Sequence, residues 1–267
     1  MSTTVSDQER VRISREADLT LLTLNRPDKL NPLDWSTVRE LLAAVEAIER
    51  EASAPRTVVI TGAGRAFSAG GDLYGYIELY RDRPQFRAFL EDFWTIHDRI
   101  ERSSRVYIAA INGACVAGGL ELMLACDLVL ASESARIGDG HLNFGQLPGA
   151  GGSQRLPRAI GPVRAKHLMF SGDLLTARDA LAIGLVGEVC SDSLLLDRAR
   201  AIAASLATRS ATGVRNMKRL VNEGLHQPYE QALKFELDLV FDYATGCPDA
   251  TEGLLAFAEK RAPRYQG

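Results

Sequence analysis

The sequence predicts an α/β fold in which a coil of repeated strand, glycine turn and helix fills the first two-thirds of the chain and helices alone fill the rest. Three observations carry that reading. Short apolar runs closed by turn residues alternate with amphipathic stretches. The runs VVI at 58–60 and AGG at 69–71 recur as VYI at 106–108 and AGG at 117–119, both at an offset of 48 residues. Beyond Cys190 the strand signals fade and only helical spacing remains.

Taken in order, LTLLTL at 19–24 ends at Asn25-Arg26-Pro27 and TVVIT at 57–61 ends at a glycine, so both read as short strands. Between them Asp34 is placed to cap a helix whose apolar stripe is Val38, Leu41, Leu42, Val45 and Ile48. LAIGLVGEVC at 181–190 reads as the last strand-like piece, and helices are expected over 193–206, 212–225, 228–243 and 248–261. No low-complexity linker divides the chain. The expected organisation is a core over 1–190 continued by a helical region over 191–267.

With 267 residues, 46% of them hydrophobic and 24% charged, the chain has the composition of a globular protein with a sizeable core. A net charge of −3 supplies no general field for nucleic acid or for an anionic membrane surface, so neither partner is expected. Cys115, Cys126, Cys190 and Cys247 form no CxxC pair and no zinc or disulfide framework, and they read as reduced and mostly buried. The first 18 residues lack the apolar stretch of a signal peptide, and no run of about 18 apolar residues follows. A cytoplasmic location is expected.

There is no GxxxxGK[ST] loop, HExxH, GxSxG or βαβ-borne GxGxxG, which withdraws support from nucleotide, metalloprotease and serine-hydrolase readings. Three glycine-rich turns remain: AFSAGGDL at 66–73, INGACVAGGLELMLACD at 111–127 and FGQLPGAGGSQRLPR at 144–158. Each follows apolar sequence and precedes an expected helix. Such glycines can serve only tight turning and close packing. Alternatively, two of the turns brought together leave helix-entry N–H groups free to hold an oxyanion.

These motifs, in this order and with NRPDKLNPL upstream and LLAFAEKRAPRY at 254–265, closely resemble the enoyl-CoA hydratase/isomerase (crotonase) superfamily over nearly the whole chain. The resemblance implies a crotonase-like spiral of repeated ββα units with a C-terminal helical trimerisation region, giving a homotrimer or a dimer of trimers. It implies an acyl-CoA thioester as substrate, no metal and no separate cofactor, coenzyme A entering as part of the substrate. The backbone N–H groups of Gly71 and Gly118 would be the oxyanion donors. The backbone near Leu30, Ala69 and Asp72 would lie along the coenzyme, while Phe257 and Lys260 would reach the nucleotide of a neighbouring subunit.

Glu121 lies three residues after Gly118 and so shares its side of a helix. It can simply favour the first helical turn, or it can be the acid/base that the resemblance places there. Hydratases of the family usually carry a second glutamate seven residues before the proline of PGAGG, a position held here by His141. Imidazole can serve as base or donor near neutral pH, and Asp139 and Asn143 are near enough in sequence to orient it. The other histidines, His97, His167 and His226, read as structural.

The pair Glu121 and His141 suits hydration of a 2-enoyl thioester best. Double-bond isomerisation, which needs one base, and retro-Claisen cleavage of a β-keto thioester remain open, as does an acyl-CoA-binding protein without turnover. Residues 74–93, rich in Tyr and Phe, are expected to line the acyl pocket, and Trp35 and Trp94 read either as core or as substrate contacts.

Overall fold

The computed structural model describes residues 9–266. Each turn of the chain gives one long strand to a six-stranded sheet and one short strand to a four-stranded sheet. In the large sheet β1 (Val11–Arg15) and β2 (Leu19–Leu24) form an antiparallel edge. After α1 (Trp35–Arg50) comes β3 (Thr57–Gly62), which lies parallel to β2 and leads into β4 (Ala66–Ser68) of the small sheet. Helices α2 (Leu73–Leu79) and α3 (Arg83–Arg102) return the chain to β5 (Val106–Ile111), and the cycle repeats through β6 (Ala114–Val116) and α4 (Gly118–Ala125). A third cycle runs through β7 (Leu128–Ser132) and β8 (Arg136–Gly138) into α5 (Gly152–Ile160) and α6 (Pro162–Ser171). The short β9 (Leu175–Thr176), α7 (Ala177–Ala182) and β10 (Glu188–Cys190) then close both sheets.

Asp34 caps α1 as expected, its Oδ1 accepting from the Thr37 N–H at 2.8 Å. The apolar stripe of α1 packs with Phe89, Phe93, Ile96 and Ile100 of α3 in the main core. Burying side chains of this size contributes about 1.5–3 kcal/mol each relative to exposure.

The repeat seen in the sequence is real but one residue out of step with the large sheet. Thr57 pairs with Val106 and Val58 with Tyr107, an offset of 49, while Ala66 pairs with Ala114 at 48. Both β3 and β5 are buried at every position. A strand buried on both faces has no polar alternation to fix its register, so the slip leaves no trace in the apolar pattern.

Three expectations need correction. LAIGLVGEVC is not one strand, because its first residues complete α7 and only Glu188–Cys190 joins the sheet. Trp94 is 53% exposed and not core. Only Cys115 is fully buried, the other three cysteines being half-buried, and all four are free thiols. Strand β1, with one buried position followed by four exposed ones, gave no alternating signal to read.

Beyond β10 lie α8 (Leu195–Ala207), α9 (Ala211–Gly224), α10 (Tyr229–Gly246) and α11 (Pro248–Ala258). Helices α9 and α10 bury no residue within the chain. Among the described residues no helix is long and apolar enough to cross a membrane.

Candidate active site

Strands β4, β6 and β8 are neighbours and run parallel, so their C-terminal ends release three turns side by side. From β4 the chain passes to Gly70 and Gly71, from β6 to Ala117 and Gly118, and from β8 to Asp139, Gly140 and His141. The turns touch. A Cβ on Gly70, whose φ is +95°, would lie 2.9 Å from Ala117 Cβ and 3.5 Å from the Gly118 nitrogen. They wall a cavity of about 310 Å³ together with aromatic side chains of α2 and α3.

Two backbone donors open on this cavity. The N–H groups of Gly71 and Gly118 have no acceptor among the described residues, and Gly118 is the first residue of α4, where intrahelical partners cannot exist. Ala117, just before it, is held at φ +50°, a left-handed conformation that is strained for a residue with a Cβ. A Cβ on Gly71 would come within 2.1 Å of the Tyr76 hydroxyl, so a larger residue there would have to displace that phenol from the cavity wall.

Glu121, on the first turn of α4, is 2% exposed. Its Oε1 accepts two hydrogen bonds of 2.8 Å, from the N–H groups of Ala150 and Gly152 at the entry to α5. Its Oε2 lies 3.7 Å from His141 Nε2. Burial is the largest influence on the carboxyl and raises its pKa above the usual range, helped by the charge of Asp139. The Gly152 and Ala150 donors and His141 oppose that rise without cancelling it.

His141 turns its other nitrogen to Asp139, Nδ1 being 3.1 Å from Oδ2 of a carboxylate that is 1% exposed. The His141 backbone N–H donates to the second oxygen, Oδ1, at 3.3 Å. Asn143, the other expected orienting residue, faces away and donates to Gly172 O at 3.0 Å.

The 74–93 segment lines the cavity as expected. Tyr76 meets Phe89 edge-on at 5.7 Å, Tyr80 meets Phe86 at 4.7 Å and Phe89 meets Phe93 at 6.1 Å. Beneath them His97 is fully buried, with its Nδ1–H donating to Phe93 O at 2.6 Å. Burial pushes its pKa down to about 3, which keeps it neutral and structural. His167 and His226 are exposed and away from the cavity.

The family model described as enoyl-CoA hydratase/isomerase matches residues 14–267. This chain belongs to that family. It is similar to the crotonyl-CoA hydratase of Syntrophomonas wolfei, with 34% identity covering 96% of this chain and 98% of the relative. It is 35% identical to the 2,3-dehydroadipyl-CoA hydratase of Escherichia coli, again covering 96% and 98%. The crystal structure of an enoyl-CoA hydratase from Bacillus anthracis superposes with a TM-score of 0.90 at 35% identity, covering 97% of this chain and 99% of that one. The fold is the crotonase spiral.

Within this enoyl-CoA hydratase/isomerase fold the remaining expected residues fall into two groups. Leu30 and Ala69 are joined, the Ala69 N–H donating to Leu30 O at 2.9 Å, and Asp72 caps α2 by accepting from Tyr74 and Gly75. Leu30 and Asn31 both have positive φ, and the buried Asn31 side chain ties that loop to Ala63 O and Ala66 O at 2.9 and 2.7 Å. Phe257 is 86% exposed and Lys260 lies just past α11; within one chain neither lines the cavity. Among the described residues no group of three or more His, Cys, Asp or Glu side chains could hold a metal ion.

Reasoning from sequence missed the Ala150 and Gly152 donors and the fork of Arg155. That guanidinium bonds both oxygens of Glu101 at 2.7 Å and also donates to Ala150 O at 2.8 Å. The available signal was the PGAGG turn, whose glycines before a helix leave N–H groups free for an anion.

Proposed function

We propose that this protein hydrates a 2-enoyl-CoA thioester, with Gly71 and Gly118 as oxyanion donors and Glu121 and His141 as the acid/base pair. The observation that carries the reading is the pairing of Glu121 Oε2 with His141 Nε2 at 3.7 Å in the cavity that also exposes the two unpaired glycine N–H groups. Two proton-handling atoms facing one space suit addition of water, whereas moving a double bond needs only one. A deeply buried carboxylate has little use in a protein that only binds thioesters.

In this reading Glu121 takes a proton from water as the water oxygen bonds to C3 of the acyl chain. The electron pair of the double bond moves toward the thioester, whose oxygen becomes an enolate held by the two glycine N–H groups; one such donor supplies about 3–4 kcal/mol. Imidazolium His141 returns a proton to C2, and the proton left on Glu121 passes back to Nε2. Atoms and charge balance over the cycle.

The coenzyme would run past Leu30, Ala69 and Asp72. The C-terminal helices over 191–267 would assemble a homotrimer or a dimer of trimers, in which Phe257 and Lys260 meet a neighbour's nucleotide. The exposed Leu225, Tyr229, Leu237 and Phe241 support that assembly. Four free thiols suit a reducing cytoplasm.

The test is loss of the conjugated-thioester absorbance of short, medium and long 2-enoyl-CoA thioesters. Turnover is expected to fall by about 10²–10⁴ in Glu121→Gln with thioester binding retained. Unchanged turnover in that variant would refute the assignment.

A further inference from the structure

Asp139 is buried without an obvious structural task. Among the described residues it caps no helix and makes no ion pair with Lys or Arg, and of its two oxygens only Oδ1 has a hydrogen bond there, from the His141 backbone. Asp139 Oδ2 and His141 Nδ1 are both buried, both without another partner, and 3.1 Å apart. That separation is within hydrogen-bond distance, and among the described residues neither atom has any other group to turn to. Leaving two such buried atoms unpaired is unfavourable, so the bond is the state the surroundings favour.

We propose that Asp139 is a positioning residue that holds His141 in its Nδ1–H form and so keeps Nε2 as the working nitrogen opposite Glu121. The inference rests on the acid/base reading of His141. A carboxylate only accepts, so the proton it faces stays on Nδ1 whether the imidazole is neutral or charged. Nε2 then gains and loses the mobile proton, which it receives from Glu121 Oε2 and gives to C2 of the acyl chain. The row Asp139, His141, Glu121 is thereby polarised. A glutamate in place of His141 would need no such partner, because a carboxyl has no tautomer to fix.

Asp139→Asn tests this without changing shape. The His141 backbone N–H can only donate, so the amide oxygen must stay on it. The amide NH₂ then faces Nδ1 and forces the proton onto Nε2. In that form Nε2 cannot take the proton from Glu121. The expected result in ¹⁵N-histidine NMR is a protonated Nδ1 and an unprotonated Nε2 for neutral His141, with the two exchanged in Asp139→Asn; His141→Gln identifies the signals. Turnover in Asp139→Asn is expected to fall by roughly 10²–10⁴, the upper end being the loss when a catalytic imidazole is held in the wrong tautomer.

An Nε2–H tautomer in the unaltered protein overturns the proposal with no variant needed. So does Asp139→Asn with unchanged spectrum and turnover while His141→Gln is impaired. Full turnover in His141→Gln would instead sink the reading on which the proposal rests.

Discussion

Glu121 and Arg155 hold the two ends of one residue between them. The Ala150 N–H donates to Glu121 Oε1 and the Ala150 carbonyl accepts from Arg155 Nη1, each at 2.8 Å. Arg155 is fixed in turn by its two bonds to Glu101 on α3. The loop that orients the candidate catalytic carboxylate is therefore anchored from behind, and Gly151 suits it because its φ of +104° is strained for any residue with a Cβ, which at 2.0 Å from the guanidinium would also displace that group.

Arg155→Met should accordingly loosen the Ala150 donor, lowering kcat and reducing stability by about 1.5–3 kcal/mol, the range for a hydrogen bond to a charged group. Arg155→Lys should recover only part of both. A point charge can hold Glu101 or Ala150 O but cannot reproduce the planar fork that holds both. Steady-state kinetics and thermal unfolding of the two variants check this, and equal values for Lys and Arg would show that charge alone suffices.

Burial of Glu121 has a consequence for stability that runs opposite to its use in catalysis. Its folded pKa is raised above 4.5. As pH climbs from there to the folded value, the folded chain keeps a proton that the unfolded chain has released, so stability falls through that window and stays reduced above it. Glu121→Gln removes the penalty, while its amide oxygen still accepts from Ala150 and Gly152. The variant is expected to melt higher than the unaltered protein at pH 7, with the difference fading toward pH 4.5. Thermal unfolding of both chains across that range tests the sign.

How much of this was legible in the sequence depends on what each feature rests on. The α1 cap and stripe were readable because Asp34 and the spacing from Val38 to Ile48 are local. The spiral was readable because glycine turns repeat with the unit that carries them. The register of β3 on β5 was hidden by burial on both faces. Glu121 and His141 were found through motif positions, but their meeting at 3.7 Å depends on β6 and β8 lying side by side. Arg155 could not be singled out, since its role depends on Glu101, 54 positions earlier, and on a backbone carbonyl.

Gly119 tests the packing that places α4. A Cβ there would lie 2.7 Å from the backbone oxygen of Ser68 and 3.0 Å from Ser68 Cβ, atoms of β4 that cannot swing aside. Gly119→Ala should therefore push α4 away from β4, costing about 1–3 kcal/mol as overpacking usually does. At roughly 2–4 °C per kcal/mol for a chain of this class, a clear drop in melting temperature is expected. Because Gly118 and Glu121 ride on the same helix, kcat should fall as well. A variant with native melting temperature and turnover would mean that the two elements separate without cost.

The pH dependence of turnover closes on the same carboxyl. If Glu121 must be ionised to take the proton from water, kcat/KM falls on the acid side with a midpoint at the Glu121 pKa of the free enzyme. That midpoint is expected above 4.5, because burial and the Asp139 charge together outweigh the Gly152 and Ala150 donors and His141. The groups around it are thus His141 across the cavity, Asp139 behind His141, and the Tyr76 phenol, whose pKa is itself raised by burial and, among lesser causes, by the Glu121 charge. The phenol stays protonated throughout and adds no limb of its own on the acid side. Initial rates with a 2-enoyl-CoA from pH 4 to pH 8 measure the midpoint, and a limb at or below 4.5 would contradict a desolvated Glu121 as the base.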